Sequence, residues 1–569
     1  MIVLSLVIGL VVGLVVVAFI LLTGRLGERM YPPGSAAWRR VLVPTVGALV
    51  SGYLLYRYFP DARGSGIPQA KFALFIRNGS ISLKTVLGKF LCCSITLASG
   101  IPLGREGPSV QIGAGIASVI GRRVGLSPAN VKALIPVGCA AALAAAFNTP
   151  IAAVLFALEE ILGDMHAPVL GSVVLSSATS WIVLHLVLGD APLFRVPAYQ
   201  LVHPLEFGIY GLLGVVGGFG SVAFVKVLLQ VRLWFKRLPK STVWIQPVAG
   251  GLLAGLLGWW IPQMLGVGYG YIDTVLSGNF LVKTVALLGI LRIIATPVAY
   301  SSGNAGGIFG PSLFVGAMMG ATTGGIAHHL LPDLTANPGA YALVGMGTAF
   351  AGIVRTPLTS VIMIFEMTRD YAIIVPLMIS NLISFMISRH FQPEPLYEAL
   401  ALQEGVYLPT GESREELTGE VVSTVMMEMN ETTPLLTNDS TVEEARHFLD
   451  QRQCNSWPVG VGTFVTALIN RRDLEAQQGT KSKAYHDLID EASPMILRDL
   501  IDPDATYPYV HPDHPVSYAL ERMRENGADV LPVVSRAGIH NIVGVIGLRE
   551  ILESYGVPTG KFFSRSTPA

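Results

Sequence analysis

Over the first two thirds of the chain, apolar positions gather in long runs and do not alternate with polar ones. Runs long enough to cross or nearly cross a bilayer as a helix, about 20 residues, fall at 1–22, 41–59, 131–161, 168–189, 205–230, 280–300, 340–365 and 373–389. Two more segments, 99–121 and 301–327, are broken by glycine and proline. Irregular backbone survives at membrane depth only where protein or water satisfies its polar groups, so a permeation site is expected in the broken segments. After residue 395 the pattern changes. Residues 411–450 are charged and no further spanning run follows. The tail holds two similar units, each predicting an amphipathic helix, two short apolar strands and a closing charged helix. The expected architecture is a mainly α, polytopic membrane domain over 1–395, a linker over 396–420, and an α/β tail with units at 421–478 and 497–555.

The membrane part also repeats. GREGPS at 104–109 matches GIFGPS at 307–312, and the segment 138–160 matches 345–367 without a gap. Two halves, near 1–190 and 200–390, with corresponding Gly/Pro-interrupted segments form a transporter signature; the sequence leaves open whether they are inverted or parallel. The repeat separates architecture from chemistry. Glu159 pairs with Glu366, so both read as structural, helix-end acceptors. Arg105 and Glu106 stand opposite Ile308 and Phe309, and Glu160 stands opposite Met367, so these are candidates for chemistry.

Composition turns the pattern into a statement about solvent. The chain is 51% hydrophobic and 14% charged, against about 25% charged in soluble domains. Net charge is zero, which removes nucleic acid as an expected partner. The first apolar run lacks a basic n-region and a small-residue cleavage site, so it reads as a span and not as a signal peptide. The four cysteines make no metal-binding spacing.

Three glycine-bracketed turns carry the candidate chemistry: Gly64-Ser65-Gly66-Ile67-Pro68, Gly104-Arg105-Glu106-Gly107-Pro108 and Gly307-Ile308-Phe309-Gly310-Pro311. Glycine permits close backbone approach, and proline suits the first helical turn. Helix N-termini offer unpaired N–H donors and roughly half a positive charge. Three of them converging would bind a small anion and still release it, as conduction requires. Glu106 lies inside such a turn, so its carboxylate would compete with the anion and its protonated form would leave. Lys89, in an apolar segment, could supply positive potential or a partner. The rival reading of glycine turns in membrane helices is close packing, and three motifs together favour a site.

In this order and at these separations the three turns resemble the signature motifs of the CLC chloride channels and transporters. The resemblance extends through FNTPIAAVLFALEE and PLYEAL to the tail, which is similar to paired CBS domains. It implies a homodimer in membrane lipid, with one anion pathway per subunit between two inverted halves. It implies chloride ligands at Ser65, at the Tyr397 hydroxyl and at the amides of Ile308 and Phe309, with an outer site at the amides of Glu106 and Gly107. Glu106 matches the gating glutamate and Glu160 the internal proton glutamate of the exchanger branch; Ser65 fits chloride preference. The tail keeps Asp473 of the family's nucleotide pattern but has Asn470 and Ala467, then Gly547 and Glu550, at its other positions. A structural or dimerising tail is therefore at least as well supported as an adenine-nucleotide site. The expectation is a chloride/proton antiporter with no enzymatic activity, cofactor or metal, a passive chloride channel being the alternative. Short basic loops at 121–125 and 236–240 mark cytoplasmic sides. The resemblance puts the tail there too, and the expected setting is a bacterial inner membrane.

Overall fold

The broken segments become helices that start part-way along their run. In the computed structural model, which describes residues 1–165, 168–190, 192–194, 196, 199, 202–406, 408, 421–429, 434–475, 495–501 and 506–554, the turns at Gly104 and Gly307 open the helices Glu106–Arg123 and Phe309–Leu330. The turn at Gly64 opens the short helix Ile67–Phe75. Most of the expected linker (407 and 409–420) and parts of the expected tail units (430–433, 476–478, 502–505 and 555) lie outside the described residues.

Among the described residues six helices are long and apolar enough to cross a membrane: Ile2–Met30, Pro128–Phe147, Leu170–Leu188, Glu206–Arg237, Val282–Ser301 and the composite Tyr371–Leu402. Two expected single spans are broken. The run 131–161 ends its helix at Phe147, turns at Asn148 (φ 61°), and restarts as Pro150–Phe156 before a π-helical turn, Ala157–Leu162. The run 340–365 divides in the same way, with Pro338–Val354 ending at Arg355 (φ 68°) and Pro357–Thr368 following. The cause is shared: the residue before proline avoids the α region, so the dipeptides Asn148-Thr149 and Arg355-Thr356 leave the helix.

The halves meet reciprocally. Gly104 N donates to Gly307 O and Gly307 N to Gly104 O, each at 2.7 Å, an antiparallel bridge between equivalent residues. The two motif helices therefore start at one point and run away from it, as inverted halves require. Each packs on the helix that follows it through a glycine pair. A Cβ on Gly113 would stand 2.2 Å from Gly138 O, and one on Gly316 2.2 Å from Gly345 O.

The chain divides into two compact units, Met1–Thr410 and Gly411–Ala569. The first continues past residue 395 because the helix Leu396–Leu402 buries Leu396 and Tyr397. In the second, the strand Ser456–Val461 pairs antiparallel with Phe464–Asn470, and Ile542–Gly547 lies between Met427–Glu428 and Val530–Val534. The helices Val442–Arg452 and Val516–Asn526 precede the two strand pairs. Both pairs carry a register shift near their outer end, at Val459/Gly460 and at Val533/Val534, so the internal repeat extends to backbone detail.

Candidate functional site

The three turns touch one another. Gly66 has φ 110°, and a Cβ there would lie 2.2 Å from Gly107 O; a Cβ on Gly107 would lie 2.5 Å from Ser65 O and 3.4 Å from the Gly307 Cα. Glycine is required here by both conformation and contact. The first turns of three helices are thereby brought together, and the N–H groups of Glu106, Gly107, Ile308 and Phe309 stand at helix starts where no intrahelical acceptor exists.

Glu106 is fully buried and its carboxylate already lies on one of those starts. Oε2 accepts from Gly310 N at 3.3 Å, and Oε1 accepts from the Tyr269 hydroxyl. Arg105 Nε is 3.9 Å from Glu106 Oε1, and its guanidinium stacks 5.6 Å from the Tyr269 ring centroid. The carboxylate thus takes an anion's place at the Phe309 helix. Phe309 beside it is wedged between Phe147 and Phe350, at ring-centroid distances of 4.7 and 4.2 Å.

Ser65 Oγ and Tyr397 Oη are buried and make no well-formed hydrogen bond among the described residues, the Tyr300 hydroxyl standing near Ser65. Burying a hydroxyl without a partner costs about 1–3 kcal/mol, so two such donors on adjoining elements suit an anionic ligand. Tyr397 lies within electrostatic reach of the carboxylates of Glu160, Glu106 and Glu398. A cavity of about 940 Å³ opens beside it, reaching Gly64 and Pro68 and lined by Arg63, Arg77, Arg232, Lys236 and Lys240 against Asp61 and Glu404. An excess of cations in a cleft draws small anions inward.

Lys89 is wholly buried and donates to Gly64 O at 2.6 Å and Ala62 O at 3.0 Å. Among the described residues it has no ion-pair partner, so its charge lies directly behind the Ser65 turn. Glu160, on the π-helical turn, is nine-tenths buried. Its Oε1 accepts from Lys71 Nζ at 2.9 Å, and Lys71 also donates to Glu398 Oε1. Glu159, its neighbour, points elsewhere and caps the Pro357 helix. Asp473 lies in the second unit, exposed, where Oδ2 accepts from Asn470 N at 3.2 Å.

Four residues escaped the sequence reading. Lys71 and Glu398 are lone charges in apolar or motif surroundings, and Glu398 stands inside the quoted PLYEAL. Arg292 stands fifteen residues before Gly307, as Lys89 stands fifteen before Gly104. It is fully buried and donates to the carbonyls of Met264, Gly266 and Val267. That turn, Gly266-Val267-Gly268, is the second half's counterpart of Gly64-Ser65-Gly66, and it presents Tyr269. Extending the repeat to this turn would have found both Arg292 and Tyr269.

Residues 46–389 match the family model described as voltage gated chloride channel. The chain belongs to the CLC family. A CBS domain model matches residues 497–556. The H(+)/Cl(-) exchange transporter ClcA of Vibrio campbellii is 32% identical over 63% of this chain and 78% of its own length; that of Vibrio parahaemolyticus is 31% identical over the same shares. Among solved structures, a slow cyanobacterial Cl−/H+ antiporter has a TM-score of 0.65 at 26% identity, covering 71% of this chain and 97% of its own. A eukaryotic CLC transporter shares the fold with a TM-score of 0.64 at 21% identity, covering 96% of this chain and 97% of its own. This CLC protein is therefore a membrane-spanning, mainly helical transporter fold with a CBS-bearing tail.

Proposed function

We propose that the protein exchanges chloride for protons, one pathway per subunit of a homodimer. The observation that carries this reading is the Glu106 carboxylate lying on the Gly310 N–H at the start of the Phe309 helix. One place cannot hold both that carboxylate and an anion. When Glu106 takes a proton, its negative charge and its claim on the N–H groups are lost, so chloride enters; when chloride leaves, the carboxylate returns. Chloride at the centre would be held by Ser65 Oγ, Tyr397 Oη and the amides of Ile308 and Phe309, with an outer place at the amides of Glu106 and Gly107. Lys89 adds favourable potential from behind the turn. Gly64, Gly66, Pro68, Gly104, Arg105, Pro108, Gly307 and Pro311 shape the turns.

Exchange in preference to passive flow is supported by Glu160, a second carboxylate buried near Tyr397. It would deliver protons to Glu106 from the cytoplasmic side. The relatives named as exchange transporters are bacterial, which supports a bacterial inner membrane with the tail in the cytoplasm. We read the tail as two CBS units, 421–478 and 497–555. Asp473 serves its own chain's turn there, which favours a structural role over nucleotide binding.

The test is proton movement in chloride-loaded proteoliposomes, with an outward chloride gradient and no initial pH gradient. Uphill proton uptake that disappears in Glu106→Ala and in Glu160→Ala is the expected result. Fast chloride efflux without proton movement would identify a passive channel.

A further inference from the structure

Three charged side chains from three distant stretches meet inside the membrane unit. Lys71 comes from the helix Ile67–Phe75, Glu160 from the turn Ala157–Leu162 and Glu398 from the helix Leu396–Leu402. Their side chains are 5–6% exposed. One ammonium faces two carboxylates and leaves a net charge of −1 when all three are ionised. An uncompensated charge buried in such a place costs several kcal/mol. One added proton makes the cluster neutral. Of the four carboxylate oxygens, Glu398 Oε2 is buried and, among the described residues, without a partner, and a neutral acid tolerates that position better than an anion does. Among the described residues, the other groups within electrostatic reach of Glu160 do not supply the missing charge. Glu159 spends its oxygens on Leu358 and Thr359, and Tyr397 and Glu106 carry no positive charge.

Resting on the antiporter reading above, the geometry points to a shared internal proton site, in which Glu398 and Glu160 hold one proton between them. Glu398 is then a second proton-bearing residue of the exchange, and Lys71 is a positioning residue that pairs with whichever carboxylate is ionised. A hydronium ion from the cytoplasmic solution gives its proton to a Glu398 carboxylate oxygen and leaves as water. It passes to Glu160 as Lys71 shifts its pairing, and then leaves Glu160 for Glu106. Lys71 remains an ammonium throughout. The arrangement also explains why a glutamate follows the tyrosine in PLYEAL here.

Removing the Glu398 charge leaves Lys71 and Glu160 as a neutral pair with no need of a proton. In full-length Glu398→Gln reconstituted beside wild type, proton uptake is expected to fall at least about tenfold, while chloride efflux stays within about twofold. The double variant Glu398→Gln/Lys71→Met again leaves one uncompensated carboxylate, and proton uptake is expected to recover in part, which a merely structural role for Glu398 would not produce. Wild-type coupling in Glu398→Gln would overturn the shared site. Absence of proton movement in wild type itself would overturn the antiporter reading instead. If Glu398→Gln does not fold, Glu398→Asp keeps the charge, and infrared difference spectra on proton release decide. A protonated-carboxyl C=O band that moves with Glu398→Asp supports the proposal, and one that does not move overturns it.

Discussion

Glu159 caps the helix that begins at Pro357, and Glu366 caps the helix that begins at Pro150. Glu159 accepts from Leu358 N at 3.3 Å and Thr359 N at 2.8 Å; Glu366 accepts from Ile151 N at 2.9 Å and Ala152 N at 2.7 Å. Each half thus supplies a carboxylate to a helix start in the other, where the helix dipole favours negative charge.

The first prediction concerns stability. Hydrogen bonds to charged groups contribute about 1.5–3 kcal/mol each, and Glu366 makes two that are partly exposed to their surroundings. Glu366→Ala is expected to cost about 2 kcal/mol, seen as a lower thermal unfolding midpoint in detergent. An unchanged midpoint would mean that water replaces the cap without loss.

A second prediction follows from the hydroxyl that holds Glu106. Tyr269→Phe keeps the ring under Arg105 and removes the donor to the carboxylate. A loss of about 1.4 kcal/mol changes the balance between carboxylate and anion about tenfold. Chloride turnover should rise several-fold with coupling to protons retained. Slower chloride efflux would show that Tyr269 holds the pathway open.

The two buried hydroxyls give a third. With Glu106→Gln used to remove the competing carboxylate, Ser65→Ala and Tyr397→Phe should each weaken chloride binding. A net hydrogen bond of about 1 kcal/mol corresponds to about fivefold in Kd, measurable by titration calorimetry. Affinities unchanged from that of Glu106→Gln alone would place the anion elsewhere.

The fourth lies in the second unit. Burial, with Asp529 nearby, pushes the Cys454 thiol up to about 12. Because the thiolate is the reactive form, Cys454 should resist alkylation at pH 8.5 in the folded tail and react once denatured. Mass spectrometry of the tryptic peptide reads this directly, and rapid labelling of native protein would contradict the burial.

Much of the site could be read in the sequence because its parts are backbone devices. Gly64, Gly104 and Gly307 are glycines for steric reasons, and steric reasons leave a sequence signature. Glu106 and Glu160 were visible as charges lacking a counterpart in the other half. Long apolar runs gave the helices, but periodicity cannot show a break that depends on Asn148 or Arg355 entering the left-handed region before Thr-Pro. Lys71 and Glu398 were hidden for a different reason. Their meaning comes from meeting each other, more than three hundred residues apart in sequence, and no local pattern encodes that. Arg292 and Tyr269 were within reach of the repeat, which had been followed through the motifs and not through the turns ahead of them.

The paired hydrogen bonds between Gly104 and Gly307 act as a rivet. Two half-molecules that rocked past each other to expose a central site alternately would have to break it on every cycle. A protein tied at this point is suited to work by moving side chains, such as that of Glu106, against the joined halves. The direction of exchange is then written in no hinge. It is set by the two gradients, and the same machine runs forward or backward as they dictate.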